Sequence, residues 1–205
     1  MTPDCFARGD ACLDGAGGFS LDLGFWWFFE WPTEIKKLTL KHFRTSVRID
    51  QNKFISINLL EYLTIIITYA GAIAALKQSK LISTQPYPVL SLASDNTSAV
   101  AWTKKAVISN EIGKGLAQTF CNLLMTNELG LHTHHIAGSA NIAADRISRM
   151  SSSKFSSEFR SLLQDHPELR SCRRFHPNPL LLSSLMQTLL REPTTVKLPP
   201  GQLGH

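Results

Sequence analysis

Short apolar runs broken by glycine dominate the first 31 residues of the chain. The glycine cluster within 15–18 predicts one tight turn and Gly24 predicts a second, because glycine adopts positive φ at little cost. The runs are rich in aromatic residues, which is typical of strands. Together they predict a three-stranded antiparallel meander, at about residues 5–13, 17–23 and 25–31.

Residues 57–77 are the most apolar stretch and predict a long helix. Asn58, with Glu61 three residues later, has the spacing of a capping box. The stretch is nearly long enough to span a bilayer. Glu61 lies inside it, however, and no aromatic or basic belt flanks both ends. We therefore interpret it as a buried core helix rather than a membrane anchor, and the mixed, basic residues 33–54 as a loop or irregular connection.

Strands and helices alternate in the next part of the chain. An apolar run at 89–93 predicts a buried strand that ends at Asp95, and Asn96 or Thr97 can cap the helix that follows. Helices are predicted at about 97–106, 111–127 and 141–149, and a strand at 131–136. This order predicts an α/β fold with a mixed five-stranded sheet, in which three antiparallel strands precede the parallel ones and helices cover both faces.

The composition changes at Ser151, where a serine-rich segment begins and prolines become frequent. Such segments are typical of linkers. We therefore expect one domain at residues 1–150. Residues 151–205 are interpreted as a Ser/Pro-rich linker or tail with one candidate short helix, at 180–190.

Charge and cysteine usage narrow the functional classes only slightly. The net charge of +5 and the pI of about 9.1 are compatible with a polyanionic partner without being diagnostic of one. The 4 cysteines contain no C-x-x-C pair, so their spacing indicates neither a zinc knuckle nor a disulfide framework. We interpret them as reduced thiols of an intracellular protein, in the cytoplasm or nucleus.

Four acidic residues occupy the positions at which such a sheet builds a site. Asp10 lies on the first predicted strand, Glu61 in the first turns of the long helix, Asp95 at the end of the next strand, and Asp145 on the last helix. If the first and fourth strands are neighbours, these carboxylates converge at one edge. Clustered carboxylates repel one another unless cations lie among them, and an all-oxygen ligand set favours Mg²⁺ or Mn²⁺.

Each of these acids also has a purely structural interpretation. Asp95 can be an N-cap, Glu61 a capping-box partner and Asp145 a solvated helix residue. Asp14, beside the glycine turn, competes with Asp10 for the position on the first strand.

Four motifs resemble the ribonuclease H domain of retroelement polyproteins of the DIRS-like or Gypsy-like type. They are D-A-C-L-D-G-A-G-G at 10–18, N-L-L-E at 58–61, S-D-N-T-S-A-V-A-W at 94–102 and H-I-A-G-S-A-N-I-A-A-D-R-I-S-R at 135–149. The resemblance covers about residues 1–150. It implies a ribonuclease H-like fold, endonucleolytic cleavage of the RNA strand of RNA–DNA hybrids with two Mg²⁺ ions, and a reverse transcriptase domain upstream.

Carried over motif by motif, the resemblance assigns Asp10, Glu61, Asp95 and Asp145 as catalytic metal ligands. The pattern D-x-x-x-x-G-x-G selects Asp10 over Asp14. The candidate nucleic-acid contacts are Asn96, Lys104, Lys105 and Arg149, with the lysines within 36–41.

Three histidines within 132–135 are close enough in sequence to suggest a metal site. Side chains alternate between the two faces of a strand, however, so we interpret the histidines as mostly structural. The loop histidine that aids product release in some cellular ribonucleases H cannot be mapped onto this chain. Their basic substrate-gripping protrusion is not recognisable either.

Three other functional classes compete with the nuclease. A truncated or domesticated fragment can keep the fold as a catalytically silent nucleic-acid-binding module. An integrase or resolvase of the same fold would act on DNA, but the motif ending in Ser148 and Arg149 does not fit it. A membrane protein would use the apolar stretch at residues 59–76 as its anchor.

Overall fold

A six-stranded mixed sheet organises the computed structural model, which describes residues 3–44, 55–79, 87–105, 108 and 110–190. The strands are β1 Cys5–Ala11, β2 Gly15–Ser20, β3 Phe25–Glu30, β4 Val89–Ser94, β5 Gly130–His135 and β6 Arg173–Arg174. The helices are α1 Thr33–Arg44, α2 Ile57–Ser79, α3 Thr97–Lys105, α4 Glu111–Thr126, α5 Ile142–Ser148, α6 Phe155–Asp165 and α7 Pro179–Leu190. Two 3-10 turns span Gly138–Ala140 and Pro167–Ser171.

The strand order is β5-β4-β1-β2-β3-β6. Strands β1, β2 and β3 form the predicted antiparallel meander. Strand β4 lies parallel to β1, and β5 parallel to β4, so the expected contact between the first and fourth strands is confirmed. The prediction of five strands was wrong by one, because β6 adds a parallel edge strand beside β3. Two residues are too few to show a strand period in a sequence.

Helices cover both faces of the sheet, as the sequence predicts. Two neighbouring glycines of β2 show this, since successive residues of a strand face opposite sides. A Cβ on Gly17 would collide with Ile147 of α5, and a Cβ on Gly18 would collide with Thr68 of α2. The two glycines therefore let both helices approach the middle of the sheet closely.

Helix α2 is the centre of the main core and is apolar on almost every side. The buried threonine hydroxyls of α2 have hydrogen-bond acceptors within the helix, because Thr64 and Thr68 each donate to the backbone carbonyl one turn earlier. Trp27 Nε1 donates to Thr68 Oγ1 at 3.2 Å, and the Tyr69 hydroxyl donates to the Leu129 carbonyl at 2.6 Å. Buried polar groups without such partners would destabilise the fold. These hydrogen bonds therefore allow the few polar side chains of α2 to be buried in the core.

By length and composition alone, one window of α2, Ile57–Gln78, is apolar enough to cross a membrane. In this structure 72 % of that window is buried inside the protein. The core helix of a folded domain passes the same composition test, and the packing of α2 against the sheet agrees with the expectation of a core helix.

The N-terminal details of α2 differ from the predicted capping box. Asn58 lies inside the helix, and the Ser56 carbonyl accepts from Leu59 N at 3.0 Å. The Asn58 side chain accepts from Asn96 Nδ2 at 2.9 Å instead of capping its own helix. Glu61 is consequently free of a capping role.

Residues 33–44 form helix α1, so the prediction of a loop was wrong there, and 45–54 lie outside the described residues. The helix follows Pro32, whose carbonyl accepts from Lys36 N at 3.1 Å. Ile35 and Thr39 are fully buried one turn apart. The basic residues between them obscure this short apolar face in the sequence.

Residues 155–190 pack onto the rest of the protein, although a linker or tail was expected there, and helix α7 lies where the one short helix was predicted. Helix α6 covers the second face of the sheet, where Trp26 stacks on Phe159 with ring centroids 4.4 Å apart. Helix α7 lies against α4 and buries Leu185 and Leu189 in the main core. Residues 191–205 lie outside the described part of the chain.

We predict that Leu185→Ala lowers the free energy of unfolding by about 2–5 kcal/mol, because it empties a fully buried site. Leu180→Ala on the same helix is the matched control, since Leu180 is 81 % exposed. Urea denaturation of the full chain measures both. Equal, small effects would mean that α7 is not part of the core.

Candidate metal centre

Three carboxylates converge at the edge of the sheet where β1 and β4 end. Because Arg8 of β1 pairs with Ala93 of β4, Asp10 and Asp95 follow at equivalent positions two residues later. Glu61 reaches the same point from a position near the start of α2. One oxygen from each of Asp10, Glu61 and Asp95 lies within 4.8 Å of the other two. The sequence predicted this convergence, and the structure confirms it for these three residues.

Glu61 is buried, with 5 % of its surface exposed. The Ala11 backbone N–H and the Ser94 hydroxyl are close enough to lower the pKa of its carboxylate, although burial acts more strongly in the opposite direction. One carboxylate oxygen, Oε2, is buried and has no hydrogen-bond partner among the described residues. Burial, followed by the charges of Asp10 and Asp95, raises the pKa of Glu61 to about 9.

Asp10 is the second buried acid and is oriented by α5. Ser148 Oγ lies 2.7 Å from Asp10 Oδ2 and 2.8 Å from the Asp145 carbonyl oxygen, so its single hydrogen serves one acceptor at a time. Burial raises the pKa of Asp10 to about 6. The Ser148 hydrogen bond opposes that rise, whereas the charges of Asp95 and Asp145 add to it.

Ser148 is a positioning residue for Asp10, a role that the sequence analysis did not assign to it. The available signal was its spacing, since residues three apart on a helix share a face and Ser148 follows Asp145 by three. The serine also stands within the resembling motif at 135–149.

Asp145 stands apart from the three converging acids. Its Oδ1 accepts from Arg149 Nε at 2.9 Å and from a second guanidinium nitrogen at 2.6 Å. Both side chains are substantially exposed, 38 % for Asp145 and 63 % for Arg149. Asp145 is nevertheless close enough for its charge to raise the pKa of Asp10. Its role as a fourth ligand stays a prediction.

The connection between β5 and α5 closes one side of the centre. His135 Nε2 lies 3.1 Å from the Asp95 carbonyl oxygen. Asn141, fully buried, donates from Nδ2 to the Gly9 carbonyl at 3.1 Å. A Cβ on Gly138 would lie 3.2 Å from Asp95 Oδ2, which is a tight contact. These contacts hold the loop against the strands that carry Asp10 and Asp95.

The alternative residue Asp14 lies outside the cluster. Its side chain is 75 % exposed, and its nearest ionic partner is Lys36 at 3.7 Å. Lys36 also binds Glu30 at 2.9 Å. The structure therefore agrees with the choice of Asp10 over Asp14.

Two of the four predicted nucleic-acid contacts are bonded to other side chains of the protein, and the other two are exposed. Asn96 caps α3, because its Oδ1 accepts from Ala99 N at 2.9 Å, and its amide binds Asn58. Arg149 is paired with Asp145. Lys104 and Lys105 are exposed in the last turn of α3. Asn96 therefore has a structural role, and the two lysines are the best placed of the four to meet a phosphate.

The chain was compared with protein-family models, with curated proteins and with solved structures. None of them matches. The case for a function therefore depends on the site itself. Among the described residues, the acids Asp10, Glu61 and Asp95 form a cluster able to hold a metal ion, whereas the histidines of β5 do not enter such a group.

We predict that Glu61→Gln stabilises the metal-free protein at pH 8 and that the gain shrinks toward pH 5. The pKa of Glu61 rises from 4.5 to about 9 on folding. Its contribution to stability is therefore fully present below pH 4.5 and is lost as the pH rises toward 9. Glutamine carries no charge to bury, so the difference at pH 8 should be on the order of a few kcal/mol.

Thermal unfolding in EDTA across this pH range measures the effect. Glu34→Gln, at an exposed position of α1, is the matched control and should change little. Adding Mg²⁺ at pH 8 should raise the Tm of the parent protein more than that of Glu61→Gln, because the ion binds only the folded state. If the gain in stability of Glu61→Gln did not depend on pH, it would contradict a raised pKa of the Glu61 carboxyl.

Proposed function

We propose that this chain is a metal-dependent endonuclease with a ribonuclease H-like fold that hydrolyses the RNA strand of RNA–DNA hybrids. The observation that carries the proposal is the convergence of Asp10, Glu61 and Asp95, with a buried Glu61 oxygen left without a partner. A buried carboxylate oxygen of this kind is costly unless a cation or a donor meets it.

The sheet supports the same proposal at the level of topology. An antiparallel β1-β2-β3 meander joined to parallel β4 and β5, with helices on both faces, is compatible with a ribonuclease H-like fold. In open α/β sheets, sites form at the carboxyl ends of neighbouring strands. Asp10 and Asp95 stand at such a place.

The donor set fits Mg²⁺, with Mn²⁺ as the substitute, because it consists of hard carboxylate oxygens with no imidazole or thiolate among them. Two such ions, when bound, activate a water and stabilise the leaving oxygen of an in-line displacement at phosphorus. The chain's own part is to hold the ions. Glu61 reaches the cluster from the buried helix α2, and Asp10 is oriented by Ser148.

Hybrid recognition is proposed to depend on shape, on phosphate contacts and on the RNA 2′-hydroxyls, which distinguish RNA from DNA. Lys104 and Lys105 are the proposed phosphate contacts. Following the resemblance, we propose an origin in a retroelement polyprotein, with a reverse transcriptase domain upstream and an intracellular site of action in the cytoplasm or nucleus.

A catalytically silent nucleic-acid-binding module is the second candidate. The observation that favours it is the ion pair between Asp145 and Arg149, which leaves three acids at the centre instead of four. Absence of any metal-dependent cleavage by the parent protein, with hybrid binding retained, would select this candidate.

We predict that Asp95→Asn lowers Mg²⁺-dependent cleavage by roughly 100-fold or more, because it removes a ligand charge, and that it leaves hybrid binding nearly intact. Asp14→Asn is the matched control, since Asp14 is exposed and outside the cluster. The assay uses end-labelled RNA–DNA hybrid, duplex DNA and duplex RNA, each with and without Mg²⁺. Equal activity of Asp95→Asn and the parent would refute the metal role.

A further prediction concerns Asp145. If its carboxylate turns toward the centre when ions bind, Arg149→Gln removes the competing ion pair and tightens Mg²⁺ binding, whereas Asp145→Asn weakens it. Titration of each variant with Mg²⁺, followed by the shift in Tm, measures the difference. Unchanged Mg²⁺ affinity in both variants would remove Asp145 from the ligand set.

A further inference from the structure

A part of the sheet surface next to the metal centre carries aromatic and basic side chains in two rows. Phe6 of β1 is level with Ser91 of β4 and His132 of β5, and Arg8 is level with Ala93 and His134. We call Phe6, Arg8, His132 and His134 the aromatic-basic face. The two residues of β1 lie more than 120 residues before the two of β5, and the parallel pairing of β1, β4 and β5 brings the pairs together.

All four side chains point to the side of the sheet that carries α5. The neighbouring position Gly9 faces Thr64 and Thr68 of α2, so Phe6 and Arg8 face the other way. Similarly, Thr133 meets Thr103 of α3, a helix that packs with α2. His132 and His134, on either side of Thr133, therefore point away from α3 and α2.

This face is accessible although α5 lies on the same side. Helix α5 packs on β1, β2 and β3. Phe6 keeps 55 % of its surface exposed, and Arg8 and His132 are exposed as well. Phe6 lines one cavity with Arg8 and with the apolar side chains Phe19, Leu21 and Ile142. Exposed aromatic side chains beside a cation are the groups on which single-stranded nucleic acids stack.

The two imidazoles are held in a regular arrangement. Their ring centroids lie 5.9 Å apart and their planes differ by 19°, so the rings are nearly parallel. Ser91 Oγ lies 3.2 Å from His134 Nδ1 and helps to fix that ring. His132 thus presents a flat aromatic surface in the same row as Phe6.

The electrostatics of the face favour an anion at its inner row. Arg8 and Lys104 are both close enough to His134 to lower its pKa, together with burial and His132. Arg8 also donates to the Ala140 carbonyl at 2.6 Å, which holds its guanidinium beside the loop that closes the metal centre. Two acids lie beside the outer row: Asp22, whose carboxylate accepts from the Phe6 backbone N–H, and Glu168, which lines the same cavity as Phe6.

The face continues directly from the metal centre. Arg8 and Ala93 precede Asp10 and Asp95 by two residues on their strands. The inner row therefore lies about 7 Å from the carboxylates and the outer row about 14 Å from them, given the rise of a β-strand. A nucleic-acid strand positioned at the carboxylates can extend over both rows without leaving the sheet.

We propose that the aromatic-basic face binds a single-stranded extension of the nucleic-acid substrate, continuous with the strand held at the metal centre. Bases stack on Phe6 and His132, and a phosphate meets Arg8. A single strand is required because bases in a duplex are already stacked on their neighbours and offer no free faces. The proposal rests on the proposed function for the identity of the ligand, but its test does not require cleavage.

The experiment measures binding by fluorescence anisotropy in EDTA, so that no substrate is cut. It compares a blunt RNA–DNA hybrid with the same hybrid carrying a single-stranded extension on the 3′ or 5′ end of either strand. We expect one polarity of extension to tighten binding by about tenfold, as stacking of one or two bases contributes. The quantity reported for each variant is this ratio of affinities.

The double variant Phe6→Ala with His132→Ala should lose most of the tenfold ratio. The pair Phe6→Trp and His132→Phe should keep it, because the stacking surfaces are preserved. Met125→Ala is the control, since Met125 is 85 % exposed on α4 and lies off this face. Thermal unfolding verifies that each variant is folded, which is expected because the two positions are exposed.

Two results of the binding experiment overturn the proposal. One is equal affinity of the parent protein for blunt and extended hybrids, and the other is a ratio that persists in the Phe6→Ala, His132→Ala variant. A change in oligomeric state of that variant, seen by sedimentation, would instead show a second copy on the face and would also overturn it. Failure of the nuclease proposal is separate: cleavage would then be absent or independent of Asp95, whatever the binding ratio.

Discussion

Repulsion between buried carboxylates is the constraint around which this protein is arranged. Asp10, Glu61 and Asp95 meet at one edge of the sheet, and two of them are almost fully buried. Burial and mutual charge raise the pKa of Asp10 to about 6 and that of Glu61 to about 9. A fold that keeps such groups together without a cation does so at a cost in stability, which rigid neighbouring elements must offset.

Those neighbouring elements are rigid because each is packed on a different part of the core. Strands β1 and β4 are paired in the middle of the sheet, and α2 is buried on nearly every side. On the opposite face, close approach of α5 at Gly17 brings Ser148 within 2.7 Å of Asp10. The carboxylates therefore cannot move apart to relieve their repulsion without disturbing both cores. This preorganisation suits an acidic cluster that is able to hold a metal ion.

The same pairing of strands connects the metal centre to its surroundings. Parallel β1, β4 and β5 align Asp10 with Asp95 at their carboxyl ends and align Arg8 with His134 one row earlier. The carboxylates and the aromatic-basic face thus share one rigid surface. Helix α6 and strand β6 support that sheet from its other end, where Arg174 lies 4.8 Å from the centre of the Phe155 ring.

Local patterns in the sequence were sufficient to predict an element wherever the residues that determine it lie close together in the chain. The glycine-broken meander, the apolar α2, the strand that ends at Asp95 and the α3 cap at Asn96 follow from turn chemistry, periodicity and capping. They do so because those effects depend on the chain's nearest neighbours. Motif resemblance, together with the expected pairing of β1 with β4, was enough to bring Asp10, Glu61 and Asp95 together.

Only the tertiary structure decided the features that depend on distant partners. The apolar side of α1 is short and interrupted by lysines, and α7 and β6 lie in a proline-rich segment. Helix α7 packs on α4 and β6 pairs with β3, and these partners are distant in the sequence. The separation of Asp145 from the other acids has the same origin, because a charged side chain on a helix end takes whichever partner the fold presents, and here that partner is Arg149. Secondary structure depends mainly on interactions between residues close together in the chain. Packing between residues far apart in the chain determines which surfaces are buried and which charged groups pair.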